Sequence, residues 1–231
     1  MNRNSNTYTV IYAAVMVVVV AAVLAFTALA LRPAQDANVR IEKQRQLLSS
    51  INIESTAKTA PDLFKEYIPT SFVLDDQGNK VEGENAFVIE AKEYYKLDAS
   101  ERLLPVFEAK VDGQTKYIMP MYGDGLWGPI WGYVAVNADG NTIFGAVFAH
   151  QGETAGLGAE IAKDFFSEQY QGKRLFNNEG FISVAVLKSG QKVNNRDYVD
   201  AISGGTITSA AVETMMTNSL KPYTKFLESL K

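Results

Sequence analysis

The sequence predicts an α+β fold, in which an antiparallel or mixed sheet is packed by helices and preceded by one N-terminal transmembrane helix. Three observations predict it. Residues 10–31 hold 21 apolar side chains in 22 positions and no charge. From residue 71 onward, short runs of β-branched and aromatic residues alternate with glycine and proline, the pattern of strands and turns. Residues 208–230 carry Val212, Met215, Met216, Leu220, Phe226, Leu227 and Leu230 at the spacing of one helix face.

Taken in order, the apolar run comes first. At about 1.5 Å of rise per residue it spans about 33 Å, matched to a hydrocarbon core of about 30 Å. Arg3 and the Ala28-x-Ala30 pair also suit a cleaved signal peptide, but the run exceeds the roughly 7–15 residues of a signal h-region, which favours an uncleaved anchor. Arg32, Arg40, Lys43 and Arg45 outnumber Arg3. The positive-inside rule alone would therefore put the large domain in the cytoplasm, but long domains translocate largely regardless of charge, so charge leaves the topology open. Residues 38–53, with Ile41, Leu47, Leu48 and Ile51 among charges, read as a juxtamembrane helix, either a stalk or a helix lying on its own domain. Pro61 and Asp62 open a second short helix over residues 60–67. Strands are expected at 71–74, 104–111, 116–121, 130–136, 142–148 and 181–187, and a helix at 159–170. The expected organisation is a tail at 1–9, a span at 10–31, a stalk at 32–59 and one folded domain at 60–231.

Composition narrows the chemistry. A chain of 231 residues suits one substantial domain with an appendage. Outside the span the apolar share is about 42%, a soluble-domain composition that excludes both a disordered chain and a polytopic membrane protein. The absence of cysteine excludes disulfides, thiol nucleophiles and thiolate metal or cluster ligation. A single histidine, His150, excludes a multi-histidine metal site or a bis-histidine haem built by this chain alone, and no metal site is expected. A net charge of −4 lacks the basic face that nucleic acid requires. What is left is a bound cofactor, or carboxylates and hydroxyls.

Three segments have the texture of a site. Asp200, Ser203, Gly204, Gly205, Thr206 and Thr208 lie just ahead of the C-terminal helix pattern. Glycines and hydroxyls before a helix start present free amides and the positive end of the helix dipole, which together favour a phosphate. The alternative is an ordinary helix cap by Thr206 or Thr208. The run is neither a Walker loop nor a dinucleotide fingerprint. The second segment is the loop after His150, with Gly152, Glu153, Thr154, Gly156, Leu157 and Gly158, which is either a ligand loop or a plain strand-to-helix turn. His150 itself reads more readily as a structural imidazole than as a catalytic one. The third segment, residues 122–133, interleaves Tyr122, Trp127, Trp131 and Tyr133 with glycines, which suits either a slot for a planar ligand or strand residues filling a core.

Together, Y-G-x-G-L-W from Tyr122, G-E-T-A-G-L-G from Gly152 and D-x-x-S-G-G-T-x-T from Asp200, in that order behind one N-terminal span, resemble the C subunit of the Na⁺-translocating NADH:quinone oxidoreductase, an FMN-binding domain family. The resemblance covers essentially the whole chain. It implies FMN bound covalently through a phosphoester to Thr206, with Asp200 and Ser203 forming part of the recognition sequence for a flavin transferase. It further implies contacts to the flavin from Trp127, Glu153, Thr154, Leu157 and Gly158, and to its phosphate from Ser203, Gly204, Gly205 and Thr208. Electrons would be relayed within a multi-subunit respiratory complex, with the other subunits and the membrane as partners and no nucleic acid. The domain would be periplasmic on a single-pass protein of the bacterial inner membrane. Two positions depart from the family pattern: Gly205 stands where alanine is common, and Ala155 where proline is. Related readings are the equivalent G subunit of ferredoxin:NAD⁺ oxidoreductase, and a membrane-tethered binding module without redox chemistry.

Overall fold

The computed structural model describes residues 6–231, apart from the side chain of residue 99. Residues 1–5, including Arg3 and part of the expected tail, lie outside it. The chain divides at Lys43/Gln44. The described residues before that point belong to a single helix, α1 (Asn6–Ser50), whose apolar stretch is exposed throughout and is long enough to cross a membrane. α1 runs through Pro33 without a break, so the expected span and most of the expected juxtamembrane helix lie on one continuous helix.

The unit from Gln44 is built on a six-stranded sheet in the order β2-β1-β3-β4-β5-β6, every neighbouring pair antiparallel. Its strands are β1 (Thr70–Leu74), β2 (Lys80–Val81), β3 (Leu104–Val111), β4 (Gln114–Asp124), β5 (Pro129–Asn137) and β6 (Ile143–His150). Short helices α2 (Ala60–Tyr67) and α3 (Ala91–Tyr94) precede β3, and α4 (Asp164–Ser167) follows β6. Two small ladders complete the sheet content: β7 (Phe176–Asn177) with β8 (Gly180–Phe181), and β9 (Ala185–Leu187) parallel to β10 (Tyr198–Asp200).

The C-terminal helices are α5 (Thr206–Leu220) and α6 (Thr224–Ser229). Val212, Met215, Met216 and Leu220 of α5 share one core with Met119 and Met121 of β4 and with Ile130, Val134 and Val136 of β5. Gly123 allows the closest approach, since a Cβ there would lie 2.8 Å from that of Met215. Ser219 Oγ both accepts from Tyr122 N–H and donates to Tyr122 O, which ties α5 to β4. The last turns of α1 also pack into this unit. Leu47, Leu48 and Ile51 are fully buried, Trp131 Nε1 donates to Gln46 Oε1 at 3.3 Å, and a Cβ on Gly145 would meet Ser50 O at 2.5 Å.

Three other expectations are revised, each for a local backbone reason. The helix expected at 159–170 is a 3-10 turn (Gly158–Ala162), α4 and a second 3-10 turn (Glu168–Tyr170), because Lys163 is extended at φ −98°, ψ 150°. The helix expected at 208–230 begins at Thr206 and is interrupted by a 3-10 turn at Lys221–Tyr223, where Pro222 cannot donate to the helix ladder. The strand expected at 181–187 is split by Ser183, whose φ of 58° is incompatible with a strand, into β8 and β9.

Candidate functional site

The three sequence segments converge at the start of α5. The Glu153 carboxylate, only 7% exposed, is their common point. Its Oε2 accepts from Thr208 Oγ1 at 2.7 Å, and its Oε1 accepts from Trp127 N–H at 2.9 Å. Its own N–H donates to His150 Nδ1 at 3.2 Å. One side chain therefore holds the turn after β4, the loop after β6 and the first turn of α5 together. Burial pushes the carboxyl upward. The Thr208 hydroxyl and the amides of Trp127 and Leu126 outweigh burial, and the group sits below the usual carboxylate range.

Glycine makes this closure possible. A Cβ on Gly125 would lie 2.5 Å from Glu153 Oε1, and one on Gly158 would lie 2.4 Å from both Glu153 Oε2 and Thr208 Oγ1. Gly158 is thus a packing requirement of the network. Thr208 Oγ1 is spent on Glu153, and the Glu153 carboxylate on Thr208 and Trp127, whereas Thr154 and Leu157 of the same loop are exposed.

The segment from Asp200 is shaped by backbone bonds. Asp200 N–H donates to Gln169 Oε1 at 2.8 Å, the Gln169 amide returns to Asp200 O at 3.5 Å, and Ala201 N–H continues the β9 ladder onto Leu187 O. The chain then turns. Gly205 N–H donates to Ile202 O at 3.0 Å across Ser203 and Gly204, and Gly204 at φ +75° takes the position where a type II turn needs glycine. A Cβ on Gly204 would also lie 2.6 Å from Leu157 Cδ2. Ser209 Oγ accepts from Ile202 N–H at 3.0 Å and anchors the turn to α5.

Helix α5 opens with Gly205 as its N-cap, and no side chain caps it. Its first intrahelical donor is Ser209 N–H to Gly205 O, so the amides of Thr206, Ile207 and Thr208 at the mouth of the helix precede the ladder. Thr206 is exposed there, while Thr208 is 1% exposed and bonded to Glu153. Ser203, Gly204 and Asp200 are also exposed, and Gly205 is buried beneath them. The loops gathered at the start of α5 also expose apolar side chains, Leu126, Trp127, Leu157 and Ile207 at 46%, 68%, 43% and 61%, with Leu157 lying against the Gly204–Gly205 turn. Trp131 and Tyr133, by contrast, are strand residues of β5, Tyr133 buried and Trp131 bonded to Gln46.

An open amide-rich helix mouth, an exposed hydroxyl and a rim of exposed apolar side chains fit a ligand with a phosphate at one end and a flat apolar ring system at the other. The sequence alone did not single out Gln169, Ser209 or Gly125. Each acts through one hydrogen bond or one close approach to a distant segment, and no spacing pattern announces such a contact.

Residues 125–221 match the family model of the FMN-binding domain, an interval that contains every candidate residue from Trp127 to Thr208. The chain is 33% identical over 209 residues to the C subunit of the Na(+)-translocating NADH-quinone reductase of Vibrio alginolyticus, covering 83% of this chain and 81% of that protein. The crystal structure of the C subunit of the same reductase from Parabacteroides distasonis superposes with a TM-score of 0.81 at 50% identity, covering 85% of this chain and 96% of that one. Shewanella oneidensis NqrC superposes with a TM-score of 0.72 at 27% identity, covering 84% and 98%. By sequence and by fold, the chain belongs to the family of the C subunit of Na(+)-translocating NADH-quinone reductase.

Proposed function

We propose that this protein carries FMN in phosphoester linkage to Thr206 and passes electrons within a membrane-bound, sodium-translocating NADH:quinone reductase. One observation carries the reading. Of the two threonines at the start of α5, Thr206 is exposed beside the open amides while Thr208 is buried and committed to Glu153. The hydroxyl that can be modified is therefore the one that the family motif designates.

In this reading the amides at the helix mouth donate to the two free oxygens of the phosphodiester, and Gly204 and Gly205 leave room for them. Leu157 and Trp127 offer apolar surface to the ring system. Glu153 acts from beneath, fixing the loops that carry both. FMN, when bound, supplies a centre that takes up and releases electrons, and the tether keeps it in place when its affinity for the protein changes with redox state.

Attachment needs an activated donor. The Thr206 oxygen forms its bond to the flavin-side phosphorus of a flavin dinucleotide, the pyrophosphate bridge breaks, a nucleoside monophosphate leaves, and the hydroxyl proton passes to a base. A flavin transferase reading Asp200 to Thr206 performs this step. The other subunits of the reductase are the electron partners. The exposed apolar part of α1 anchors the chain in the bacterial inner membrane, and the domain faces the periplasm, where an exported transferase meets it.

Intact mass of the purified chain tests the assignment. Wild type is expected to carry the added mass of an FMN phosphoester, Thr206→Val to lack it while keeping its fold, and Thr206→Ser to carry a part of it. Covalent flavin retained by Thr206→Val, for instance on Thr208, would overturn the choice of residue.

A further inference from the structure

Beside the start of α5 lies an open groove lined by Gln169, Lys173, Val193, Arg196, Tyr198 and Asp200, among others. It is continuous with the turn just described, because Asp200 is both a wall of the groove and the first residue of the D-x-x-S-G-G-T run. Asp200 is held rigidly, with its backbone bonded in both directions by the Gln169 amide.

The charges around this groove are unevenly committed. Arg174 is bidentate to Asp197, and Arg196 pairs with Glu213 at 2.8 Å. Three lysines remain, and among the described residues none of them has an ion-pair partner: Lys173 in the groove wall, Lys192 next to Val193, and Lys188 directly after β9. Lys188 is placed by the parallel ladder, in which Leu187 pairs with Asp200 and accepts from Ala201 N–H. Lys188 and Lys192 are exposed on the loop that joins β9 to β10. Lys173 lies over the Tyr198 ring at 5.9 Å, and the exposed Asp200 carboxylate is the acid of the groove wall that faces these three lysines, so the free charge on this strip, the groove and its adjoining loop, is net positive in a protein of net charge −4.

We infer that this groove docks an acidic, extended segment of the enzyme that esterifies Thr206, so that Lys173, Lys188 and Lys192 set how well that enzyme captures its acceptor. The inference rests on the covalent-FMN reading above and adds the surface through which the modifying enzyme recognises the chain. The chemistry of the strip favours a peptide over a nucleotide. Both guanidinium groups, which would grip a phosphate bidentately, are occupied, and both polar atoms of the Gln169 amide are used by Asp200. What remains free is a row of flexible point charges, suited to steering spaced carboxylates by long-range attraction that salt weakens.

The test uses the full-length chain in detergent, produced without flavin transferase, then incubated with the organism's own transferase and FAD and followed by covalent flavin fluorescence. The triple variant K173E/K188E/K192E is expected to raise the acceptor KM tenfold or more. Labelling should still reach completion on Thr206 at long times, with an unchanged melting temperature. Raising NaCl from 50 to 300 mM should slow wild type severalfold and leave the variant nearly unaffected. K192E alone, on an exposed loop, should show the same effects at smaller size and serves if the triple variant folds poorly. An acceptor KM and salt response equal to wild type, in a folded variant still labelled on Thr206, would overturn the docking inference alone. Suppression of wild-type labelling by millimolar AMP at constant ionic strength, absent in the variant, would also overturn it by making the strip a nucleotide site. No covalent flavin on wild type would overturn the covalent reading and this inference together.

Discussion

Replacing Glu153 by glutamine isolates the charge of the group that joins the three loops. The shape is kept, and the amide can satisfy the geometry in only one way. Its oxygen must stay on Trp127 N–H, because an NH₂ there would face a donor, so its nitrogen must face Thr208 Oγ1, which then accepts instead of donating. Two charge-assisted bonds become neutral ones. Hydrogen bonds to charged groups contribute about 1.5–3 kcal/mol and neutral ones about 0.5–1.5, so the expected loss is about 2 kcal/mol. For a domain of this size that lowers the melting temperature by about 4–8 °C. The pH dependence adds a second signature. Because the folded carboxyl lies below its ordinary value of 4.5, the native state binds fewer protons than the unfolded state across that interval. The stabilisation is therefore full above the ordinary value and is lost as pH falls through the folded one. Thermal unfolding of wild type and Glu153→Gln, followed by circular dichroism between pH 3 and 8, should show a gap that is constant above about pH 5.5 and closes toward pH 3. Equal melting temperatures at pH 7, or a gap that persists unchanged at pH 3, would refute the idea that an ionised Glu153 holds the site together.

Leu157→Ala should keep stoichiometric covalent FMN while shifting its absorption spectrum and slowing quinone reduction by the assembled complex, since it removes exposed apolar surface beside Thr206; unchanged spectrum, potential and turnover would place the flavin ring elsewhere. Gly204→Ala combines a left-handed backbone with a Cβ 2.6 Å from Leu157 Cδ2, and should cost about 1–3 kcal/mol in denaturant unfolding and slow flavin attachment; a stability equal to wild type would contradict the turn geometry. Deleting residues 1–32 should yield a soluble, folded domain able to accept FMN from the transferase, because the core lies in the unit from Gln44; persistent aggregation under varied conditions would show that the missing helix is needed for folding.

The strands of the central sheet were the most legible part of the chain. β3 was expected with the bounds observed, and β4, β5 and β6 were each located to within three residues, because these largely buried strands are runs of apolar, β-branched and aromatic residues bounded by glycine, asparagine and aspartate turns. Helical periodicity was less reliable, since it records which side chains are buried and not whether the backbone is continuous. Ile161, Phe166 and Tyr170 all face the core, yet the chain between them bends at Lys163. β10 escaped notice because three residues carry no period, and its pairing with β9 across an exposed loop is purely tertiary. At the candidate site, the fold brings the three motifs together, but their wiring was not legible in the sequence. That Glu153 and Thr208 face one another across 55 positions, and that Gln169 clamps Asp200, are consequences of the fold that no local signal carries.

Thr206 and Thr208 are two residues apart on one helix, hence about 200° apart around its axis. Folding turns one hydroxyl outward and encloses the other. On the proposed chemistry, the distinction between two chemically identical side chains therefore does not exist until α5 has formed and docked on Glu153. A nascent chain offers both threonines equally, and a finished domain offers one. Attachment of the cofactor then becomes a late step that reports on correct folding, and a population of chains with flavin on the proper residue is a population that has already acquired its native core.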